Sequence, residues 1–197
     1  MDDDALARHL AADLDRAFEA LVSAHQDRLY TIALRLLGDT GDAEEVAQDA
    51  FVRAYRAMTG WPPERIATLR LRPWLASITV NLSRNRRRRL ADRRPALRLA
   101  GVMAAGIEPV AGLGAGPDAA GLRREAAEEW SARLLRCPAA LRVPVVLRHV
   151  DGLSYEAIAE VLDRPVGTVK AQVHRGVAWL RSDLERGGAT QHEELTA

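Results

Sequence analysis

The chain has 197 residues, and its 28 basic and 27 acidic side chains give a net charge of +1. An apolar fraction of 48% allows one or two packed cores, and the single cysteine excludes an internal disulfide and a multi-cysteine zinc site. The near-neutral total conceals a segregation: residues 1–60 carry twelve acids and six bases, whereas residues 61–94 carry two acids and ten bases. Such a local basic segment is compatible with nucleic-acid binding, because its potential attracts a polyanion.

The first 94 residues predict amphipathic helices, because apolar side chains recur at steps of three and four and no segment alternates like a strand. Residues 1–13 are expected to form a frayed or short helical lead. Gly38 should end the first long helix, and Asp42 and Glu45 have a spacing that resembles a capping box for the next one. The predicted helices cover residues 14–37, 42–58, 64–69 and 73–90.

A stretch rich in alanine, glycine and proline, residues 95–121, follows this part of the chain. Five glycines between residues 101 and 116 argue against regular structure, so we expect a flexible linker. Helical periodicity resumes at Leu122, and Pro144 is expected to kink or shorten a helix that ends at Val150. The polar residues 187–197 should form a flexible tail.

The predicted fold class is therefore all-α, with two helical domains, residues 14–94 and 122–186, joined by the linker. The acidic start of the chain lacks an apolar signal segment, and no apolar run is long enough to span a bilayer. We therefore expect a cytoplasmic protein without membrane insertion. The five histidines show no metal-ligand spacing, and no phosphate-binding glycine loop occurs. We accordingly expect no catalytic residue, no metal and no cofactor.

Residues 151–181, DGLSYEAIAEVLDRPVGTVKAQVHRGVAWLR, predict two helices at a tight angle. Gly152 can end the preceding helix in the left-handed conformation, and Ser154 is a good N-cap for the first of the two. Asp163, Arg164 and Pro165 interrupt the pattern, because a residue before proline avoids helical geometry. The second helix should then begin near Gly167 or Thr168.

The second of these helices has two chemically different faces. One face is apolar and carries Val169, Val173, Val177 and Leu180. The opposite face carries small and basic side chains, namely Thr168, Lys170, Ala171, His174 and Arg175. This arrangement suits a helix that lies in the DNA major groove and reads base edges. A plain helical hairpin with a solvated basic face would show the same pattern.

At this point the sequence resembles a known family. The stretch GLSYEAIAEVLDRPVGTVKAQVHRGVAWLR is similar to the sigma4 domain of extracytoplasmic-function (ECF) sigma factors of bacterial RNA polymerase. The stretches LYTIALRLLGDTGDAEEVAQDAFVRAYRA and RPWLASITVNLSRNRRRR resemble the sigma2 domain of the same family. The matches occur in the family's order around a linker and cover about 150 residues in all. The resemblance implies a factor that directs core polymerase to specific promoters and helps to open them.

The resemblance also implies roles for particular residues. DNA at the minus-35 element would be contacted by Lys170, Ala171, His174, Arg175, Arg148, Tyr155, Glu156 and Thr168. DNA at the minus-10 element would be contacted by Asn81, Asn85, Trp61, Trp74, Arg84, Arg86, Arg87, Arg88 and Arg89. Docking on core polymerase would use Asp42, Glu45, Gln48, Asp49 and Phe51. The implied partners are the clamp helices of the largest polymerase subunit, the flap of the second largest, promoter DNA and an anti-sigma factor.

The residue types in these sets suit the implied chemistry. An asparagine amide can donate to and accept from a base edge, tryptophan can stack on an unpaired base, and arginines contact phosphates. For Trp74 and Phe51 the alternative is core packing, and for the acids around Gln48 it is a solvated face.

Two other functions would fit parts of the sequence. A helix-turn-helix regulator that acts without joining polymerase would not need the DAEEVAQDAF helix or the helix with Asn81 and Asn85. A helical adaptor that binds only proteins does not explain the arginine run or GTVKAQVHR.

Overall fold

The computed structural model describes the backbone of residues 2–99 and 129–194, and the side chains of residues 2–92 and 129–186. Within these ranges every regular element is helical, which confirms the predicted all-α class. None of these helices combines the length and the apolar character that crossing a bilayer requires. Most of the predicted linker, residues 100–121, lies outside the described residues.

The described N-terminal part forms α1 (Asp3–Ala12), α2 (Leu14–Leu37), α3 (Thr40–Thr59), α4 (Pro63–Ala67) and α5 (Leu71–Leu99). Helices α2, α3 and α5 pack against one another around a core that includes Leu29, Ile32, Ala50 and Leu75. The bounds predicted for the first long helix are confirmed. Gly38 ends that helix in the left-handed conformation, with φ of 81°.

The start of the chain is helical rather than frayed. Leu6, Ala7 and Leu10 of α1 are buried, and this helix packs against α2 and α4. Helix α3 begins at Thr40, two residues earlier than predicted. The Asp39 carboxylate caps it by accepting a hydrogen bond from the backbone N–H of Asp42 at 2.8 Å. Asp42 is thus a first-turn residue and not the cap, which leaves its carboxylate available for other partners.

Helix α5 is longer than predicted at both ends. It begins at Leu71, so Pro73 lies in the first turn, where a missing backbone donor costs little. It continues past Leu90 to Leu99, into the first residues of the predicted linker. Arginine, alanine and leucine dominate this extension, and these residues have high helix propensity.

The described C-terminal part begins with α6, residues 129–136. It continues with α7 (Ala139–Val145), a π-helical turn (Val146–Val150), α8 (Tyr155–Leu162) and α9 (Val166–Glu194). Helix α9 therefore continues through the first residues of the stretch predicted as a flexible tail. The effect predicted for Pro144 is confirmed. The α-helix ends one residue after it, and the N–H of Asp151 then bonds the carbonyl of Val146 at 3.0 Å, five residues back.

The two domains contact each other through α2, α5, the π-helical turn and α8. Arg142 of α7 is a buried part of this junction, and burial lowers its pKa to about 10. Its guanidinium donates hydrogen bonds to the carbonyl oxygens of Leu36 at 3.1 Å, Leu135 at 2.6 Å and Cys137 at 2.8 Å. Leu36 lies in the last turn of α2, so its carbonyl has no partner within the helix. Arg142 supplies that partner, and its positive charge interacts favourably with the negative C-terminal end of the helix dipole.

Candidate nucleic-acid interface and docking surface

The predicted helix-turn-helix is present as α8 and α9. Gly152 adopts the left-handed conformation with φ of 74°, and the Ser154 hydroxyl accepts a hydrogen bond from the N–H of Ala157 at 3.1 Å. Asp163 ends α8, also in the left-handed region, with φ of 50°. The N–H of Arg164 then bonds the carbonyl of Ala159 at 3.0 Å. This turn sets the angle at which α9 leaves α8.

Helix α9 presents a small and basic face to solvent, because its opposite face is used for packing. Val169, Val173 and Leu180 are buried, and Val177 is half-buried. The side chains on the other face are all exposed, namely Thr168, Lys170, Ala171, His174 and Arg175. Five of the eight residues predicted for the minus-35 element therefore lie on one exposed face.

The close packing of α9 against α7 depends on a glycine that was not among the predicted residues. Gly176 is buried on the packing side, where an added Cβ would lie 2.5 Å from Cγ2 of Val145 and 3.2 Å from the carbonyl oxygen of Leu141. Helix α9 therefore approaches α7 at a distance that only glycine permits. This glycine begins the GVAWL segment. A glycine inside a helical pattern indicates close packing, and that was the signal available in the sequence.

The remaining minus-35 residues form a cluster around the Tyr155 ring. The Arg148 guanidinium lies 4.6 Å and the Lys170 ammonium 5.6 Å from the ring centre, both within cation–π range. Arg148 also donates to the carbonyl of Leu153 at 2.9 Å. Hydrogen bonds from its own backbone N–H and from Ser154 lower the pKa of the exposed Glu156. The structure thus brings these residues together with the start of α9.

Helix α5 carries all the residues predicted for the minus-10 element except Trp61, which lies in the loop before α4. Asn81 and Asn85 are exposed four residues apart, while Leu75, Val80 and Leu82 are buried against the rest of the domain. The arginines that follow are also exposed, with one exception: Arg84, Arg87, Arg88 and Arg89 face solvent, and Arg86 is half-buried. Polar amides and basic side chains therefore share an exposed stretch of α5.

Trp61 and Trp74 meet at the start of this helix. Their ring centres are 5.2 Å apart with planes tilted by 52°, and both are half-buried against the core. The Arg65 guanidinium lies over the Trp61 ring, 3.9 Å from its centre. Arg65 was absent from the predicted set. The short distance in sequence between Trp61 and Arg65, four residues, was the signal available.

The predicted docking residues divide between the surface and the core. Glu45, Gln48 and Asp49 are exposed on α3, as a docking surface requires. Phe51 has only 8% of its surface exposed and belongs to the hydrophobic core. This favours the core alternative for Phe51, because a side chain that packs inward offers little area to a partner. Asp42 is half-buried and forms an ion pair with Arg86.

Two family models match the chain. Sigma-70 region 2 matches residues 21–94, and Sigma-70 region 4 matches residues 129–180. Among curated relatives, the ECF RNA polymerase sigma factor SigW of Bacillus subtilis is 32% identical over 170 residues, which are 85% of this chain and 89% of that protein. The ECF RNA polymerase sigma-E factor of Escherichia coli K12 is 30% identical, with 88% of this chain and 89% of the relative covered.

Two solved structures are similar in fold to most of the chain. CnrH in complex with the cytosolic domain of CnrY matches 93% of this chain and 97% of its own, at 25% identity and a TM-score of 0.66. The sigma factor RpoE of Bartonella quintana, in complex with the anti-sigma factor NepR, matches 85% of this chain and 96% of its own. The identity there is 21% and the TM-score 0.67, so this second likeness concerns the fold.

Proposed function

Since this chain belongs to the ECF sigma factors of bacterial RNA polymerase, we propose that it directs the core enzyme to its promoters through three surfaces, on α9, α5 and α3. The observation that carries the proposal is the exposed basic face of α9, whose other face is buried. A helix seated in this way has its recognition side chains free for a major groove.

For the minus-35 element, we assign base reading to Lys170, His174 and Arg175, which are exposed together on α9. Ala171 lies between them and can pack on a thymine methyl group. The Tyr155 ring lies near Lys170 and can orient its ammonium group, and Arg148, which lies near the same ring, can contact the DNA backbone. The Thr168 hydroxyl and Glu156 complete this surface.

For the minus-10 element, we assign Asn81 and Asn85 to bases that have left the double helix. Their amides can both donate and accept, and the exposed arginines after them supply phosphate contacts that position the protein. Trp74 lies in the first turn of the same helix, and Trp61 packs against it from the loop before α4. Their half-buried rings can stack only through the edges and faces that packing leaves free.

For docking on the core enzyme, we assign Glu45, Gln48 and Asp49 of α3, which are exposed and are not needed for the core of the domain. The proposed partner surface is the clamp helices of the largest subunit, with the flap of the second largest subunit contacting the C-terminal domain. We further propose control by an anti-sigma factor, since RpoE of Bartonella quintana is bound by one. The chain would act in the cytoplasm and by binding, without a catalytic residue.

The experiment that tests the proposal is reconstitution with core polymerase and runoff transcription on candidate promoters. We expect specific transcripts with the wild-type chain and reduced co-purification with the core enzyme for Gln48→Ala combined with Asp49→Arg. Thr59→Ala, on the far end of α3, is the matched control and should co-purify like wild type. A chain that protects promoter DNA equally well with and without core enzyme would instead be a regulator that acts alone.

A further inference from the structure

Arg86 differs from the other arginines of its run. Its Nε donates to Oδ1 of Asp42 at 2.7 Å, and its Nη1 lies 2.6 Å from Oε2 of Glu45. These contacts join α5 to the first two turns of α3. Arg88, two residues further along, is exposed and forms no ion pair with any described residue.

The Arg86 charge is already matched by carboxylates, because one guanidinium faces both Asp42 and Glu45. The hydrogen bond that Arg86 donates to the Asp42 carboxylate raises the pKa of Arg86, and the Asp42 side chain is only 13% exposed. A phosphate could take this guanidinium only by leaving the Asp42 carboxylate largely buried and without its partner. That exchange is unfavourable, because an unpaired buried charge costs more than a surface contact returns.

The pair lies between two of the surfaces assigned above. Glu45 precedes Gln48 and Asp49 on the exposed side of α3, and Asn85 directly precedes Arg86 on α5. The bond between Arg86 and Asp42 therefore fixes α5, which carries the minus-10 side chains, relative to α3, which carries the docking side chains. A planar guanidinium that holds two carboxylates does so with a defined orientation, which a single ammonium could not.

We propose that Arg86 and Asp42 are a positioning pair that transmits the placement of α3 on core polymerase to the minus-10 side chains of α5. This inference rests on the proposed function and assigns neither residue to DNA or polymerase. Docking would then deliver Asn81 and Asn85 at a fixed angle to the DNA. Arg86 would drop out of the phosphate-contacting set, and Asp42 out of the docking set.

The test compares Arg86→Gln with Arg88→Gln in reconstituted holoenzyme. We expect Arg88→Gln to lower the salt slope of promoter binding by about one unit, which is the signature of a lost phosphate contact. Arg86→Gln should leave the salt slope and the affinity for core enzyme unchanged. It should lower promoter opening, followed by permanganate reactivity of the minus-10 region, by about tenfold, as expected for coupled neighbours.

A double-mutant cycle with Asp42→Asn completes the test. If the two residues act as a pair, the second substitution should add no further loss. The Asp42→Asn, Arg86→Gln variant should therefore open promoters at least as well as the weaker of the two single variants. Arg86→Lys, which keeps the charge but not the fork, should be intermediate, and the melting temperature of each variant reports whether the domain remains folded. A salt slope that falls for Arg86→Gln as it does for Arg88→Gln would overturn the positioning role while leaving sigma-factor function intact. A wild-type chain that neither binds core enzyme nor opens a promoter would instead refute the proposed function.

Discussion

Arg28 of α2 and Asp151, which follows the π-helical turn, form an ion pair across the two domains, with Nη2 and Oδ2 2.6 Å apart. The Asp151 side chain has no exposed surface. Arg72 of α5 donates to the backbone carbonyl of Asp151 at 2.9 Å, and Arg28 donates to the carbonyl of Arg72 at 3.0 Å. Three segments of the chain are therefore joined at Asp151, through its buried carboxylate and its backbone carbonyl.

A second ion pair crosses the same junction at the surface. Arg70 bonds both carboxylate oxygens of Glu160 at 2.8 Å, but both side chains are more than half exposed. Solvent screens such a pair, which contributes about 0–1 kcal/mol. The two pairs therefore serve as a matched comparison of buried and exposed contacts between the same domains.

We expect Asp151→Ala to separate the domains and to lower the free energy of unfolding by about 3–5 kcal/mol, because Arg28 would remain in the junction without its partner. Glu160→Ala should change the free energy of unfolding by less than about 1 kcal/mol. Small-angle scattering and urea unfolding of both variants would measure these effects. An Asp151→Ala chain as compact and as stable as wild type would show that the other contacts hold the junction without this ion pair.

The buried His25 predicts a pH dependence of stability. Burial, followed by the charges of Arg28 and Arg72, lowers the pKa of His25 below 6.5, while Asp3 and Asp151 act in the opposite direction. The imidazole of His25 is protonated more readily in the unfolded chain than in the folded chain. The free energy of unfolding should therefore decrease as the pH falls from 6.5 to the pKa of folded His25. The slope is at most about 1.4 kcal/mol per pH unit.

Urea unfolding between pH 7.5 and 5.5 would measure this dependence. His25→Gln should flatten the profile in that range, and His149→Gln, at an exposed position, should leave it as in the wild type. An unchanged profile for His25→Gln would mean that other groups cause the dependence.

Substitution of a side chain that reads a base should produce a defect that depends on the promoter sequence. Arg175→Ala and Lys170→Ala should each weaken binding to the cognate minus-35 sequence by roughly 1–3 kcal/mol and relax discrimination at one base. Arg181→Ala, exposed further along α9, is the control and should leave sequence discrimination intact. Competition binding of holoenzyme to promoters with single substitutions would distinguish them. Equal losses on cognate and scrambled sites for Arg175→Ala would contradict its assignment to bases.

Asn81→Ala combined with Asn85→Ala should spare binding to duplex promoter and impair opening. Their amides meet a base only after it leaves the stack, and that step costs a few kcal/mol. Permanganate footprinting would detect the loss, and a premelted promoter should restore much of the activity. Normal melting of duplex promoters by the double variant would remove the minus-10 role from α5.

The sequence predicted most of the helices because short-range signals specify them. The spacing from Leu14 to Leu37, the glycine after it and the Ser154 cap each act within one or two turns. Asp39 was missed as the cap of α3, since Asp42 offered a similar spacing. The bond between Arg28 and Asp151 joins residues 123 positions apart, and no local pattern reports which buried carboxylate an arginine reaches. Arg86 looked like its neighbours for the same reason.

The junction between the domains sets a limit on reach. Elements centred at minus 10 and minus 35 are about 25 base pairs apart, or about 85 Å along the DNA axis at roughly 3.4 Å per base pair. A compact chain of this length has a radius of gyration of about 16 Å, which corresponds to a diameter of roughly 40 Å. With Arg28 bonded to Asp151 and Arg142 bonded to Leu36, one chain of this diameter does not span both elements at once. If α5 and α9 read these elements as proposed, the bonds across the junction must break, and part of the free energy of binding polymerase would offset the separation of the domains.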